Sequence, residues 1–320
     1  NTQTYTINPP GLCLAGQTGS GNGTEENPKI ICTPKELYDI RDHLDWHYVL
    51  GQDIDLNHTT LSDDLTATWY DDVKGWNANI GNNDYLLNSN RFNGILDGNN
   101  YSIKNLYFNY PYEGDITRGL FNYVGINGII KNVNLVDINI ASKSAGGLIG
   151  SNYGGNIQNI NITGNVYGYM NGGGMISLDM NGIINNASFN GMVSSGKAGG
   201  IISDSYGTKL SSIQVIGTID GLSVGGIIGE AHRSTGKLEN SSFTGTLLGD
   251  GEMGGLIARS VIDINNCTVE GEIIDINSNS QKQHMGGIIG IDEGTTGGAK
   301  IIIVILMVIL LLLIILELGE

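Results

Sequence analysis

The chain has 320 residues, of which 49 are glycine and 5 proline. So much glycine with so little proline excludes a collagen-like or polyproline chain, and 40% hydrophobic residues exclude a solvated disordered one. Sixteen Lys and Arg against 32 Asp and Glu give a formal charge of −16, which excludes a nucleic-acid binder or anionic-lipid binder driven by charge.

Residues 1–47 read as an N-terminal arm and a capping helix. Cys13 and Cys32 bracket a Gly/Ser/Asn-rich loop over 16–27. In an exported protein such a pair forms a disulfide that staples the loop; the alternative is two unrelated thiols. A secreted or cell-surface location is expected from three features: a first residue other than Met, scarce lysine, and Asn-x-Ser/Thr sequons at Asn22, Asn57, Asn100, Asn161, Asn186, Asn240 and Asn266. These seven asparagines are the candidate glycosylation sites. Thr33-Pro34-Lys35-Glu36 is a capping box with proline at the first helical position. Leu37, Ile40 and Leu44 follow on one face, predicting a helix over Pro34 to Leu44. His43 and His47 would then lie one turn apart around Asp45, a spacing that can hold a metal. Leu44 stands where the zinc-protease helix needs Glu, so surface histidines are the competing reading.

Residues 48–118 hold the first coils, interrupted between Leu61 and Arg91 by an irregular insertion. Asp63, Asp64, Asp71 and Asp72, with Asp84 further on, are candidate calcium ligands, and Trp69, Tyr70 and Trp76 are candidate ligand contacts, because exposed rings stack on sugars. The alternative is a solvated loop whose tryptophans pack on the coils.

From the middle of the chain one motif returns. Gly146-Gly147-Leu148-Ile149 is followed by Gly173-Gly174-Met175-Ile176, Gly199-Gly200-Ile201-Ile202, Gly225-Gly226-Ile227-Ile228, Gly254-Gly255-Leu256-Ile257 and Gly286-Gly287-Ile288-Ile289, with steps of 27, 26, 26, 29 and 32 residues. Between copies, segments such as Ile157 to Val166 and Ile184 to Val193 place apolar residues mostly two apart, the period of a strand with one buried face. A unit this short cannot bury its own face, so the units must stack. The predicted fold is all-β: a right-handed parallel β-solenoid with an N-terminal capping helix and a hydrophobic C-terminal segment. Asn132, Asn159, Asn186, Asn240 and Asn266, with Ser212 substituting once, share one column and predict an asparagine ladder at a bend; a ligand-binding stripe is the alternative. Cys267 falls in the next column, among core positions.

The Gly-Gly-[Leu/Ile]-Ile-Gly copies, with an Asn-x-x-x-x-Gly strand between them, resemble GLUG repeats across residues 119–291. Ser177, Ser203 and Ala258 depart from the final glycine. The resemblance implies a β-solenoid of the surface-protein or adhesin type and says little about a ligand.

Residues 292–320 form a linker and an apolar run, Ile301 to Leu316, of 16 consecutive apolar residues. Apolar on every side, the run reads as too uniform to be one more coil. It is expected to anchor the chain in a membrane, with Lys300 and Glu317 reaching the interfaces, or to pack between subunits in a filament or sheath.

No cofactor and no catalytic residues are expected. Within 119–291 the basic residues, Lys197 and Arg259 among them, read as isolated from carboxylates, and no Gly-x-Ser-x-Gly, His-Glu-x-x-His or phosphate loop occurs. The expected role is an extracellular structural protein forming homo-oligomers or polymers. An adhesin that binds a glycan or host protein through the insertion is the second reading, and a polysaccharide-active enzyme the third.

Overall fold

The computed structural model describes residue 13 and residues 18–57, 70–71, 74–77, 80–81, 90–111, 117–276, 284–293 and 301–312, the backbone alone for 70–71 and 301–312. Its strands pair in parallel from rung to rung and form a β-solenoid of two sheets, one of 18 strands and one of 7. Among the described residues antiparallel pairing is confined to Gly75–Trp76, which meets Tyr70–Asp71 and Tyr107–Tyr110.

Each complete coil has the same parts. A long bent strand such as Asn156–Gly173 ends at the Gly-Gly pair. A short strand such as Ile176–Met180 follows, and a tight turn leads into the next long strand, Ile183–Gly199. The short strands build the seven-stranded sheet, in which Phe121, Ile149, Ile176, Ile202, Ile228, Ile257 and Ile289 stack in one register column. The column is fully buried from Phe121 to Ile257. The Gly-Gly pair is required because the turn lies against the opposite wall of the core. A Cβ on Gly174 would enter the Phe189 ring, and one on Gly226 the Phe243 ring.

The bend in each long strand explains the asparagine column. Asn132, Asn159, Asn186, Ser212, Asn240 and Asn266 all have φ between 49° and 59°, the left-handed region that asparagine tolerates better than most residues. Their amides form the predicted ladder: Asn159 Nδ2 donates to Asn132 Oδ1 (2.8 Å), Asn186 Nδ2 to Asn159 Oδ1 (2.9 Å) and Asn266 Nδ2 to Asn240 Oδ1 (2.8 Å). Cys267 is fully buried, as its column requires.

The ends depart from expectation. The first rung is Lys29–Ile31, upstream of the helix, and pairs in parallel with Tyr48–Leu50. The helix therefore lies between two rungs and spans only Pro34–Tyr38. A 3-10 turn, Asp39–Asp42, replaces the rest. Thr33 Oγ1 caps the helix by accepting from the Glu36 backbone N–H (3.2 Å), while the Glu36 carboxylate reaches one residue further back than a capping box and accepts from the Cys32 backbone N–H (2.8 Å). Because the helix ends early, His43 follows the 3-10 turn while His47 opens the strand His47–Leu50, and the helical pairing of the two does not arise. At the other end, Ile301–Leu312 is a strand that pairs in parallel with Asp263–Asp275, from Ile264↔Ile301 to Asp275↔Leu312. The apolar run thus contributes the last of the described rungs, which uniformity of composition alone did not predict. No helix among the described residues is long and apolar enough to cross a membrane.

Candidate functional site

The described surface gathers its chemistry on one face of the short-strand sheet. Asp204 lies in Ile202–Tyr206 and Glu230 in Ile228–Ala231, and the two are register partners on adjacent rungs. Stacked carboxylates repel at the rung spacing of about 4.8 Å unless cations stand between them. Two do. Lys197 projects from the far side of the Gly199-Gly200 turn, its Nζ 3.1 Å from Asp204 Oδ2 and 2.8 Å from Glu230 Oε2. His232, directly after the Glu230 strand, places Nε2 2.6 Å from Asp204 Oδ1 and 3.3 Å from Glu230 Oε2. The imidazole stacks on Tyr206 at 4.6 Å, and the His232 backbone N–H donates to Ser205 O at 2.9 Å. One rung on, the Arg259 guanidinium pairs with Glu252 across the next Gly-Gly turn and with Glu293 (2.8 Å).

These contacts set the charge states. The hydrogen bond to Asp204, then that to Glu230, raises the His232 imidazole from 6.5 to about 9. Burial pushes the Glu230 carboxyl up, but hydrogen bonds from His232 and Lys197 outweigh it and hold the group at about 2. Burial likewise opposes the Lys197 ammonium, which Glu230 and Asp204 nevertheless raise above its ordinary value. At neutral pH Glu230 is therefore ionised and His232 and Lys197 are cations, an ionic staple across two rungs. His232 contributes stability that is complete below pH 6.5 and lost as pH rises through about 9. Glu230 contributes stability that is complete above pH 4.5 and lost as pH falls through about 2. In EDTA, the wild-type chain is expected to exceed His232→Gln by about 1–3 kcal/mol between those limits. The gap should close by about pH 10, and urea midpoints at mildly acidic and alkaline pH check it; a gap that ignores pH would contradict the assignment.

Reading the repeats alone misses this quartet, and the view of Lys197 and Arg259 as isolated is corrected. The signal is present. Lys197 and Asp204, like Glu252 and Arg259, are opposite charges seven residues apart across a Gly-Gly turn, and Asp204 to Glu230 is one repeat of 26 residues. A comparison made only between coils does not pair the two sides of one turn.

The predicted site residues fall elsewhere. Cys13 and Cys32 are joined as a disulfide, Cα–Cα 5.5 Å. Trp76 is 3% exposed and packs edge-on against Tyr38 at 6.3 Å, so it belongs to the core and offers no ring to a sugar. Asp63, Asp64, Trp69, Asp72 and Asp84 lie outside the described residues, as do the side chains of Tyr70 and Asp71. Of the sequons, Asn22 is exposed and its Oδ1 accepts from Thr24 Oγ1 (3.1 Å), whereas Asn57 receives a carboxylate, its backbone N–H donating to Asp55 Oδ1 (2.9 Å). Asn100 has φ 63° and accepts from Asn134 through its carbonyl. Asn161 donates its amide to Asn134 (3.0 Å), and Asn186, Asn240 and Asn266 are ladder members. A second feature is a cavity of about 500 Å³ beside the short helix Pro34–Tyr38, lined by Lys35, Asp39, Asp42, His43, Trp46 and Tyr48 among others. There His43 stacks on Trp46 at 3.7 Å.

No protein-family model matches the chain. It is 36% identical over 140 residues to a protein of Evansella cellulosilytica provisionally named a Gly-rich membrane protein; the match takes in 42% of this chain and 14% of that protein's length. Its fold is similar to a crystal structure from Bacteroides ovatus of a protein provisionally named an immunoglobulin A1 protease, with a TM-score of 0.63 and 22% identity, covering 90% of this chain and 87% of that one. At that identity the likeness concerns the fold alone: the chain is a parallel β-solenoid.

Proposed function

We propose that the chain is the rod of an extracellular, surface-associated structural protein, built from GLUG-type repeats and acting without catalysis. The observation that carries this reading is the regularity of the body. From Phe121 to Ile257 every rung repeats the same core column, and the side chains between rungs are spent on ladders and ion pairs that tie one coil to the next. Such an object transmits length and stiffness. The Cys13–Cys32 disulfide supports an oxidising compartment, and the relative's name as a membrane protein supports a place at the cell surface.

In this reading the last rung, Ile301–Leu312, holds the rod in place by association with further copies. Its residues sit in register over Asn265, Thr268, Glu270 and Glu272, positions that face water in the rung before, yet none of the twelve is polar. Intact producing cells treated with a membrane-impermeant amine label should yield labelled protein, and the unreduced chain should resist thiol alkylation at Cys13 and Cys32. Protein found unlabelled inside the cell, with both thiols reactive, would overturn the reading.

An adhesin is the second reading, and the cavity beside the helix Pro34–Tyr38 favours it over the insertion as the binding place. Trp46 and Tyr48 supply aromatic walls, and Lys35, Asp39 and Asp42 supply hydrogen-bonding groups, a mixture suited to a glycan. A glycan-array signal lost in Trp46→Ala would support it. A blank array would leave the structural role alone.

A further inference from the structure

We propose that Asp204, Glu230 and His232 form a site for one divalent transition-metal ion of the zinc type, with Lys197 as its built-in competitor. The inference is independent of the structural role. Three potential ligand atoms, one from each residue, lie within 4.8 Å of one another. Tetrahedral coordination with bonds of about 2.0–2.2 Å needs ligand atoms about 3.3–3.6 Å apart. His232 Nε2 and Glu230 Oε2 stand at 3.3 Å already, and the 2.6 Å between His232 Nε2 and Asp204 Oδ1 opens to that range by a rotation of the carboxylate. One imidazole nitrogen and two carboxylate oxygens leave a fourth position for water, a donor set that suits zinc and cobalt better than calcium or magnesium.

The frame around these atoms is rigid where a metal site needs rigidity. Asp204 and Glu230 are fixed by register on neighbouring rungs of the sheet. The Tyr206 ring stacks on the face of the imidazole, and the backbone bond from His232 to Ser205 O ties its main chain to the preceding rung. Arg259 engages Glu252 and Glu293 one rung away.

Lys197 explains how the carboxylates stay together without a metal. Its ammonium bridges Asp204 Oδ2 and Glu230 Oε2, on a flexible stem that reaches the pair from across the Gly-Gly turn. A divalent ion entering between the carboxylates and the imidazole takes the place of the Lys197 ammonium between them. The ammonium, on its flexible stem, swings to water. The competitor sets the affinity: removing it should tighten binding.

The test is a cobalt(II) titration of the full chain, followed by visible absorption for the d–d band of low-symmetry coordination, with zinc displacement read by calorimetry. Wild type should take up one cobalt per chain, displaced by one zinc. His232→Gln and Glu230→Gln should abolish the band, and Lys197→Met should lower the zinc Kd at least tenfold. Lys197→Gln serves in its place if the methionine variant does not fold. A wild-type chain without a band at millimolar cobalt, or a band that survives His232→Gln, overturns the site. An unchanged Kd in both Lys197 variants overturns the role of competitor.

Discussion

Replacing Gly200 with alanine is expected to lower the free energy of unfolding by about 3–5 kcal/mol, among the largest effects available to a single methyl group in this chain. Gly200 is the second glycine of its pair, where the chain turns back over the core. A Cβ added there would run into the carbonyl oxygen of Gly226 on the next rung and into the Val215 side chain. Neither can retreat, because the Gly200 backbone N–H is bonded to Gly225 O and Val215 is fully buried. Relief would require parting two rungs. At Gly196, three residues before the pair, the nearest atom to an added Cβ is Met170 O at 3.1 Å and the site is half-buried. Gly196→Ala should therefore cost less than about 1 kcal/mol. Urea unfolding of the two variants side by side checks the contrast; equal midpoints would show that the turn tolerates what the geometry forbids.

Asp179→Ala is expected to cost about as much, for a different reason. Asp179 is fully buried at the corner opposite the Gly-Gly turn and serves three donors: Asn152 Nδ2 (2.8 Å), the Gly182 backbone N–H (2.8 Å) and Thr208 Oγ1 (2.6 Å). Burial, the largest influence, lifts its carboxyl above the ordinary range, while the Thr208, Asn152 and Gly182 hydrogen bonds pull it back. Asn152 is locked from the other side, accepting from the Gly155 N–H (2.9 Å) and donating to Gly155 O (3.2 Å), so it cannot turn to find another partner. Removing the carboxylate strands three donors, each at about 1–3 kcal/mol before the site relaxes. Asp179→Asn keeps one acceptor and should fall about midway. Thermal unfolding of the three proteins should rank them Asp, Asn, Ala; an asparagine variant as stable as wild type would mean that the donors have other partners.

The contrast between these two residues shows what a sequence reveals of a solenoid. Gly200 was legible, because a motif that returns every 26 residues or so carries its own alignment, and the asparagine column followed from the same alignment. Asp179 carries no signal in the repeat, because it stands alone in its column between Asn152 and Ser205; its importance depends on burial and on Thr208 from the next turn. The Lys197–Asp204–Glu230–His232 quartet was illegible for a related reason. Its members come from both sides of one turn and from two rungs, and only the folded corner brings them together. Trp76 was misplaced because an aromatic in an irregular insertion carries no period to say whether it faces water or core. The helix was read too long because Leu44 continues the apolar spacing, although the chain has already tightened into a 3-10 turn. The strand Ile301–Leu312 was missed because its unbroken apolar run lacks the apolar–polar alternation of the long strands before it.

That last rung bears most directly on the proposed role. Sedimentation velocity of the full chain, beside the same chain lacking Ile301 to Glu320, reads it in one comparison. The account predicts that the full chain sediments as an oligomer in aqueous buffer and that the shortened chain sediments as a folded monomer. An identical assembly from both chains, or a full-length monomer in the absence of detergent, would contradict it.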